Sequence, residues 1–208
     1  MITISRLYDD YSTAARVYND LDRAGISTND ISIVASNAEG WFDKNAREPG
    51  RIDRDGDGVD DRTEGAATGA GIGGTIGGAA GLLAGLGLLA IPGLGPVVAA
   101  GWLVSTAALA VTGGAAGGLI GSLTQHGVDE DDAHAYAEGV RRGGTLVTAR
   151  VEDSDAARVE AIMDRSAVNI RERARTWEKS GWTRFDPNAP VYTADEIRRE
   201  RELYRTLV

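Results

Sequence analysis

The stretch Ile91-Pro92-Gly93-Leu94-Gly95-Pro96 lies at the centre of a long segment, residues 65–128, that contains no Asp, Glu, Lys or Arg. Small residues recur at every fourth position on both sides of this centre, in two series that mirror each other about Gly93. The first series is Gly65, Gly69, Gly73, Gly77, Gly81 and Gly85, and the second is Gly101, Ser105, Leu109, Gly113, Gly117 and Gly121. Pro92 and Pro96 interrupt helical hydrogen bonding, and the glycines permit a chain reversal. The pattern predicts two antiparallel helices in contact along their small residues.

Residues four apart lie on one face of a helix, and the lack of a Cβ atom there allows two helix backbones to approach closely. The one bulky member, Leu109, falls opposite Gly77, where there is room for it. Each glycine costs an isolated helix about 1 kcal/mol relative to alanine, so such a hairpin needs a protein or lipid partner. A flexible linker is the alternative, but the leucines and valines around the turn argue against it.

Composition limits the remaining possibilities. A chain of 208 residues accommodates one ordinary domain with an insertion. The net charge of −9 argues against nonspecific nucleic-acid binding, which requires a basic surface. The absence of Cys excludes disulfides and thiolate catalysis. The first residues enter a strand pattern without a basic, apolar leader, so we expect a cytoplasmic protein, with membrane association as the alternative.

The flanks of the charge-free segment repeat each other. Ala14-Ala15-Arg16-Val17 recurs as Ala156-Ala157-Arg158-Val159, and each copy lies on a helical pattern between two strand patterns. The predicted strands are residues 2–7, 31–34, 145–151 and 168–170. This order predicts an α+β fold, a ferredoxin-like βαβ…βαβ plait whose central connection carries the inserted hairpin.

Helix-capping patterns mark the second half of the chain. Asp129 and the three acids after it predict the start of a helix that runs to Val140, although four acids can also bind a metal. Thr193 and Glu196 form a capping box at the start of a last, charged helix. The aromatic stretch from Trp177 to Tyr192 indicates docking, either on its own domain or on a neighbouring subunit. The predicted organisation is a first βαβ half (1–38), a calcium-loop linker (39–64), a helical hairpin (65–128), a helix with the second βαβ half (129–172) and a C-terminal arm (173–208).

Residues 53–64, Asp-Arg-Asp-Gly-Asp-Gly-Val-Asp-Asp-Arg-Thr-Glu, match the pattern of a calcium-binding loop. The predicted Ca²⁺ ligands are the side chains of Asp53, Asp55 and Asp57, the carbonyl of Val59, Asp61 through water, and both oxygens of Glu64. Asp60 and the preceding Pro49-Gly50 depart from an EF-hand, and the run is more similar to the single loops of dockerins and thrombospondin-type repeats. The alternative is a solvated acidic turn before a helix.

These features together resemble one known family. The strand-helix start, the glycine-rich hairpin, Trp177 with Gly181-Trp182, and above all the stretch Tyr136-Ala137-Glu138-Gly139-Val140-Arg141-Arg142-Gly143-Gly144-Thr145-Leu146-Val147 are similar to bacterial general stress proteins of the YflT-like, low-temperature-induced type. The resemblance covers roughly residues 1–182. It implies a stress-associated, non-enzymatic role and supplies no catalytic residues. The calcium loop departs from that family and suggests a response to an ion.

Three classes of function remain at this stage. The only histidines, His126 and His134, fit no catalytic triad, and no cofactor fingerprint or small-molecule substrate is identifiable, which argues against an enzyme. A hairpin that entered a membrane would place residues 88–98, which lack polar and charged side chains, either in water or as non-helical backbone in lipid. Burial among neighbouring subunits avoids both costs. We therefore expect a homo-oligomer assembled through the hairpin, with membrane lipid as the alternative partner.

Overall fold

The computed structural model describes residues 1–42, 87–91, 93–103 and 118–205. These residues form a mixed α/β structure, built from a five-stranded antiparallel sheet and helices on both of its faces. The strands are β1 (Ile2–Tyr8), β2 (Ile31–Ser36), β3 (Gly87–Ile91), β4 (Gly95–Ala100) and β5 (Thr145–Val151). The helices are α1 (Tyr11–Arg23), α2 (Leu119–Gln125), α3 (Glu130–Arg141), α4 (Ala156–Met163), α5 (Ile170–Lys179) and α6 (Ala194–Arg205), with 3₁₀ turns at Thr28–Asp30 and Asp164–Ser166.

The order of the strands in the sheet is β1-β5-β2-β4-β3. The two repeated strands β1 and β5 are antiparallel neighbours, in register from Ile2 opposite Val151 to Tyr8 opposite Thr145. The prediction that these distant segments share one sheet is therefore confirmed. The prediction of a four-stranded sheet is wrong, because β3 and β4 extend the sheet beyond β2.

The predicted strand at residues 168–170 is also wrong, since it is reduced to a single bridge between Val168 and Leu7. The side chain of Asn169 accepts a hydrogen bond from the backbone N–H of Glu172 at 3.2 Å, and this cap starts α5 at Ile170. Helix α5 then crosses the predicted boundary between residues 172 and 173. Trp177 accordingly lies on a helix rather than in an extended arm.

The predicted helical hairpin is wrong around its centre, where residues 87–91 and 95–100 are strands. The turn itself lies where it was predicted: the N–H of Leu94 donates to the carbonyl of Ile91 at 3.0 Å, and Gly93 has a φ of 76°. Proline followed by a residue with positive φ suits a β-turn, which reverses a strand as well as a helix. Val97 and Val98 on β4 are fully buried on opposite faces of the sheet. A strand points successive side chains to opposite sides and buries both, whereas a helix that packs along one face does not.

Two residues of the predicted helix contact are described, and neither belongs to a helix–helix ridge within the described residues. Gly101 has a φ of 90°, and a Cβ atom there would lie 2.1 Å from the carbonyl oxygen of Ile31. Gly101 therefore marks a close crossing of backbones at the end of β4. Gly121 lies in α2, and a Cβ atom there would meet no atom within 4 Å. The other ten predicted contact residues lie outside the described part of the chain.

Side chains that alternate along the strands fill two cores. On one face, Val147 and Ile33 pack with α1 and α4. On the other face, Leu146 and Val34 pack with α2, α3, α5 and Phe185. The second face is thus covered by α2, α3 and the C-terminal arm. Among the described helices, none combines the length and the apolar character needed to cross a membrane.

Candidate functional site

Within the stretch from Tyr136 to Val147, the residues Arg141, Arg142 and Gly143 form the surface on which the C-terminal arm docks. The Tyr136 hydroxyl donates to the backbone carbonyl of Ser5 at 2.7 Å and ties α3 to the sheet. Gly143 has a φ of 93°, and a Cβ atom there would lie 2.3 Å from Cγ2 of Ile197 on α6. A glycine at this position therefore allows α6 to pack directly against the end of α3.

A buried network of charges holds this docking surface together. Glu138 has no exposed surface, and its Oε1 accepts hydrogen bonds from Nη2 of Arg141 at 2.9 Å and from Nε of Arg142 at 2.6 Å. Arg142 also donates from Nη1 to Glu200 on α6 at 2.7 Å. Burial acts to lower the pKa of Arg142, but its hydrogen bonds to Glu200 and Glu138 outweigh burial and raise that pKa above its usual value. Arg142 remains charged and bridges two helices.

Aromatic side chains enclose the same network. The Arg142 guanidinium lies 5.0 Å from the ring centroid of Trp177 and 5.2 Å from that of Tyr192. The indole N–H of Trp177 donates to the Tyr204 hydroxyl at 2.6 Å, and burial raises the pKa of Tyr204 to about 12. These contacts seat the arm on its own domain, which was one of the two arrangements that the aromatic stretch left open.

A cavity of about 770 Å³ lies between the β3–β4 turn, α2, α3 and the arm. Its walls are mainly apolar, with contributions from Ile91, Leu94, Leu119, Ile120, Val128 and Phe185. Gly121 and Ala137 face it with little or no side chain. A Cβ atom at Gly121 would meet no atom within 4 Å, so the space beside α2 is open at this position.

Three of the four polar side chains that line the cavity contact one another and form what we call its polar end, and the fourth polar side chain is that of Thr124. Nε of Arg184 donates to Nε2 of His134 at 2.8 Å, and the same guanidinium pairs with Glu130. His134 is 9% exposed, and its Nδ1 has no hydrogen-bond partner among the described residues. Burial, and then the positive charge of Arg184, lower the pKa of His134. The imidazole is therefore neutral at pH 7, with its proton on Nδ1 because Nε2 accepts from arginine.

Among the strands that the structure describes, β3 forms an outer edge of the sheet. Ala90 lies opposite Pro96, which has no N–H and whose carbonyl accepts from the backbone N–H of Asn37 at 2.7 Å. In an antiparallel pair the hydrogen-bonding direction alternates, so the backbone groups of Leu88 and Ala90 point away from β4. The Leu88 side chain is 47% exposed.

The structure brings some predicted features together and leaves others untested. Asp129 caps α3 as predicted, accepting from the N–H groups of Asp131 and Asp132, and within the described residues no three potential ligands group as a metal site. The predicted calcium ligands, at residues 53–64, lie outside the described part of the chain. His126 and His134 have different partners. Nδ1 of His126 lies 2.7 Å from the carbonyl oxygen of Ser122, whereas Nε2 of His134 accepts from Arg184.

Sequence reasoning missed the cavity and the buried charge network. The cavity residues come from three separate stretches, residues 91–94, 118–137 and 184–187, and they share no local motif. The only signal in the sequence was the combination of an acid and two arginines within the stretch that carries the family resemblance.

Comparison of the chain with family models, with curated proteins and with solved structures found no match.

Proposed function

We propose that this chain is a non-enzymatic, stress-associated structural protein that self-assembles into a homo-oligomer through its charge-free segment. The observation that carries the proposal is strand β3, which is uncharged, is an edge strand among the described residues, and directs the backbone groups of Leu88 and Ala90 outward. Soluble proteins usually protect such an edge with a charge, a proline or a bulge. Among the described residues, β3 carries none of these along its five residues.

Electrostatics favours contact at this edge. Copies of a chain with a net charge of −9 repel one another, and the repulsion is smallest where neither surface is charged. Residues 65–128 are the longest stretch of that kind in the sequence. Two β3 strands related by a two-fold axis would pair antiparallel, with the backbone groups of Leu88 and Ala90 supplying donors and acceptors on both sides.

The polar side chains of the described region support a structural role rather than catalysis. Nε2 of His134 is occupied by Arg184, and His126 is bonded to a backbone carbonyl. The buried carboxylate of Glu138 is neutralised by two arginines. A general base needs a free lone pair within reach of a substrate proton, and the Nε2 lone pair of His134 and the carboxylate of Glu138 are already engaged.

We also infer that β1, β2 and β5 are the core of a ferredoxin-like plait. The inference is supported by the Val168–Leu7 bridge, which adds a rudimentary fourth element beside β1 and yields the spatial order Val168-β1-β5-β2. In this interpretation β3 and β4 are additions at the β2 edge. The stress association and the cytoplasmic location rest on the sequence resemblance and on the sequence start, and the calcium loop at residues 53–64 stays part of the proposal.

The test is the mass of the purified full-length protein without detergent, measured by light scattering on a sizing column. We expect a particle larger than the 21.8 kDa monomer. Leu88→Lys should reduce its mass, because a charge then faces its own copy across the two-fold axis. Ala90→Pro should do the same by removing an outward N–H that the monomer does not need.

Leu203→Lys is the matched control, because Leu203 is a leucine of 50% exposure on α6, far from β3 in the sequence. This variant should keep the wild-type mass. A monomeric wild type rejects the proposal, and so does equal loss of mass in both leucine variants. Recovery of the wild type only from membrane fractions would favour the lipid-associated alternative instead.

A further inference from the structure

We propose that the 770 Å³ cavity binds an uncharged amphiphile, a small molecule with an apolar body and one hydroxyl or carbonyl group. The cavity is bounded by described residues from the β3–β4 turn, α2, α3 and the arm. Its volume lies within the range of about 300–1,000 Å³ that is usual for small-molecule sites. This inference is independent of self-assembly, because the cavity and the exposed Leu88 edge are different surfaces.

The apolar part of the cavity determines the body of the ligand. Ile91, Leu94 and Phe185 line one side and Leu119 and Ile120 another. Burial of apolar ligand surface against such walls supplies most of the binding free energy at sites of this kind. The missing side chain of Gly121 leaves open space next to these walls.

The polar end determines the head group. Arg184 and Glu130 neutralise each other, and neutral His134 adds no charge. A carboxylate on the ligand would be repelled by Glu130, and an ammonium would be repelled by Arg184. An uncharged oxygen avoids both conflicts.

Arg184 can serve such an oxygen without giving up its partners. A guanidinium carries five N–H donors, and the hydrogen bonds of Arg184 to His134 and Glu130 use Nε and Nη2. Within the described residues, no partner is found for Nη1. The Arg184 side chain lines the cavity and is 58% exposed, so its guanidinium belongs to the part of the lining that is open to solvent.

Binding can be measured with Nile red, an uncharged fluorophore, on the full chain carrying Leu88→Lys so that the exposed edge does not contribute. We expect saturable fluorescence that 1-decanol displaces at least tenfold more effectively than decanoate or decylammonium. Gly121→Leu should weaken Nile red binding at least tenfold, because the new side chain fills the cavity. The same substitution should raise the melting temperature, since leucine is a better helix former than glycine.

Ala161→Leu is the control, because it places a leucine at an exposed position of α4 away from the cavity. Binding to this variant should equal that of the parent. Thr124→Leu fills the cavity from another position of α2 and should reproduce the effect of Gly121→Leu. Unchanged binding in both cavity variants would overturn the site. Displacement by decanoate or decylammonium as effective as that by 1-decanol would overturn the uncharged head group.

Discussion

Nε of Arg142 lies 2.6 Å from Oε1 of Glu138, a carboxylate with no exposed surface. Both residues lie at the C-terminal end of α3, and Arg142 also donates a hydrogen bond to Glu200 on α6. Removal of one member of a buried ion pair leaves the other charge without compensation, which typically costs about 3–5 kcal/mol. We expect Glu138→Ala to lower the free energy of unfolding in urea by that amount.

Glu138→Gln should be milder than Glu138→Ala, because its amide oxygen still accepts from Arg142. Glu152→Ala serves as the control, since the Glu152 side chain is 67% exposed and should change stability by no more than about 0.5 kcal/mol. Equal effects of Glu138→Ala and Glu152→Ala would show that the buried network does not stabilise the fold.

Substitutions at Gly143 and Gly25 distinguish the free-energy cost of backbone strain from the cost of disturbing the docked arm. Both have positive φ, 93° and 87°, but a Cβ atom at Gly143 would meet Ile197 at 2.3 Å, whereas one at Gly25 would meet nothing within 4 Å. Gly25→Ala should cost about 1–2 kcal/mol from strain alone. Gly143→Ala should cost more and should also accelerate proteolytic cleavage of the arm.

Ile197→Ala provides the check on this interpretation. It should cost less stability in the Gly143→Ala background than in the wild type, because it removes the clash together with the contact. Additive effects of the two substitutions would mean that Gly143 does not support α6.

Gly101 distinguishes the strand arrangement from the predicted helical hairpin. In a helix, alanine in place of glycine would be stabilising by about 1 kcal/mol. At the observed crossing, where a Cβ atom would lie 2.1 Å from the carbonyl of Ile31, we expect severe destabilisation and loss of soluble protein. Gly121→Ala, in α2, should by contrast be stabilising. Thermal melts of the two variants make the comparison, and a raised melting temperature for Gly101→Ala would contradict the strand arrangement.

His134 should titrate below its ordinary pKa of 6.5 because of burial and of Arg184. Folding lowers this pKa, so the unfolded chain binds more protons between the two values, and stability falls as the pH decreases through that window. Arg184→Gln should raise the pKa of His134 by removing a positive charge, and Glu130→Gln should lower it further. NMR titration of the imidazole measures each shift. Shifts in the opposite directions would reject the assigned contacts.

Calcium should bind the loop at residues 53–64. One site stabilises the folded state by about 2.7 kcal/mol when the ion concentration is a hundred times Kd, provided that the unfolded chain does not bind. Magnesium should be a poor substitute, because the many carboxylates suit a larger coordination shell. Titration calorimetry on the wild type and on Asp53→Ala/Glu64→Gln provides the measurement. The absence of both heat and thermal shift in the wild type would leave the loop as a solvated acidic turn.

Local chemistry was sufficient to predict the features that depend on neighbouring residues. Asp129 and Thr193 start helices because their side chains satisfy N–H groups two or three residues away. The chain reverses beside Gly93 because proline and glycine suit a turn, and Gly93 has the positive φ that such a turn requires. The two strands that precede the repeated helices pair with each other, as predicted. Each strand could be recognised from the sequence because alternation of apolar side chains is a property of each strand alone.

Only the tertiary structure decided whether the segments beside that turn are helical or extended. Glycine, alanine and leucine allow both, and the preference of β4 for a strand comes from its pairing with β2 and from the core in which Val98 is completely buried. The same holds for the cavity and for Glu138, because a cavity between several elements and a buried charge pair exist only after distant segments meet. Their energies depend on desolvation by neighbours that are not adjacent in the chain, so the order of residues alone could not indicate them.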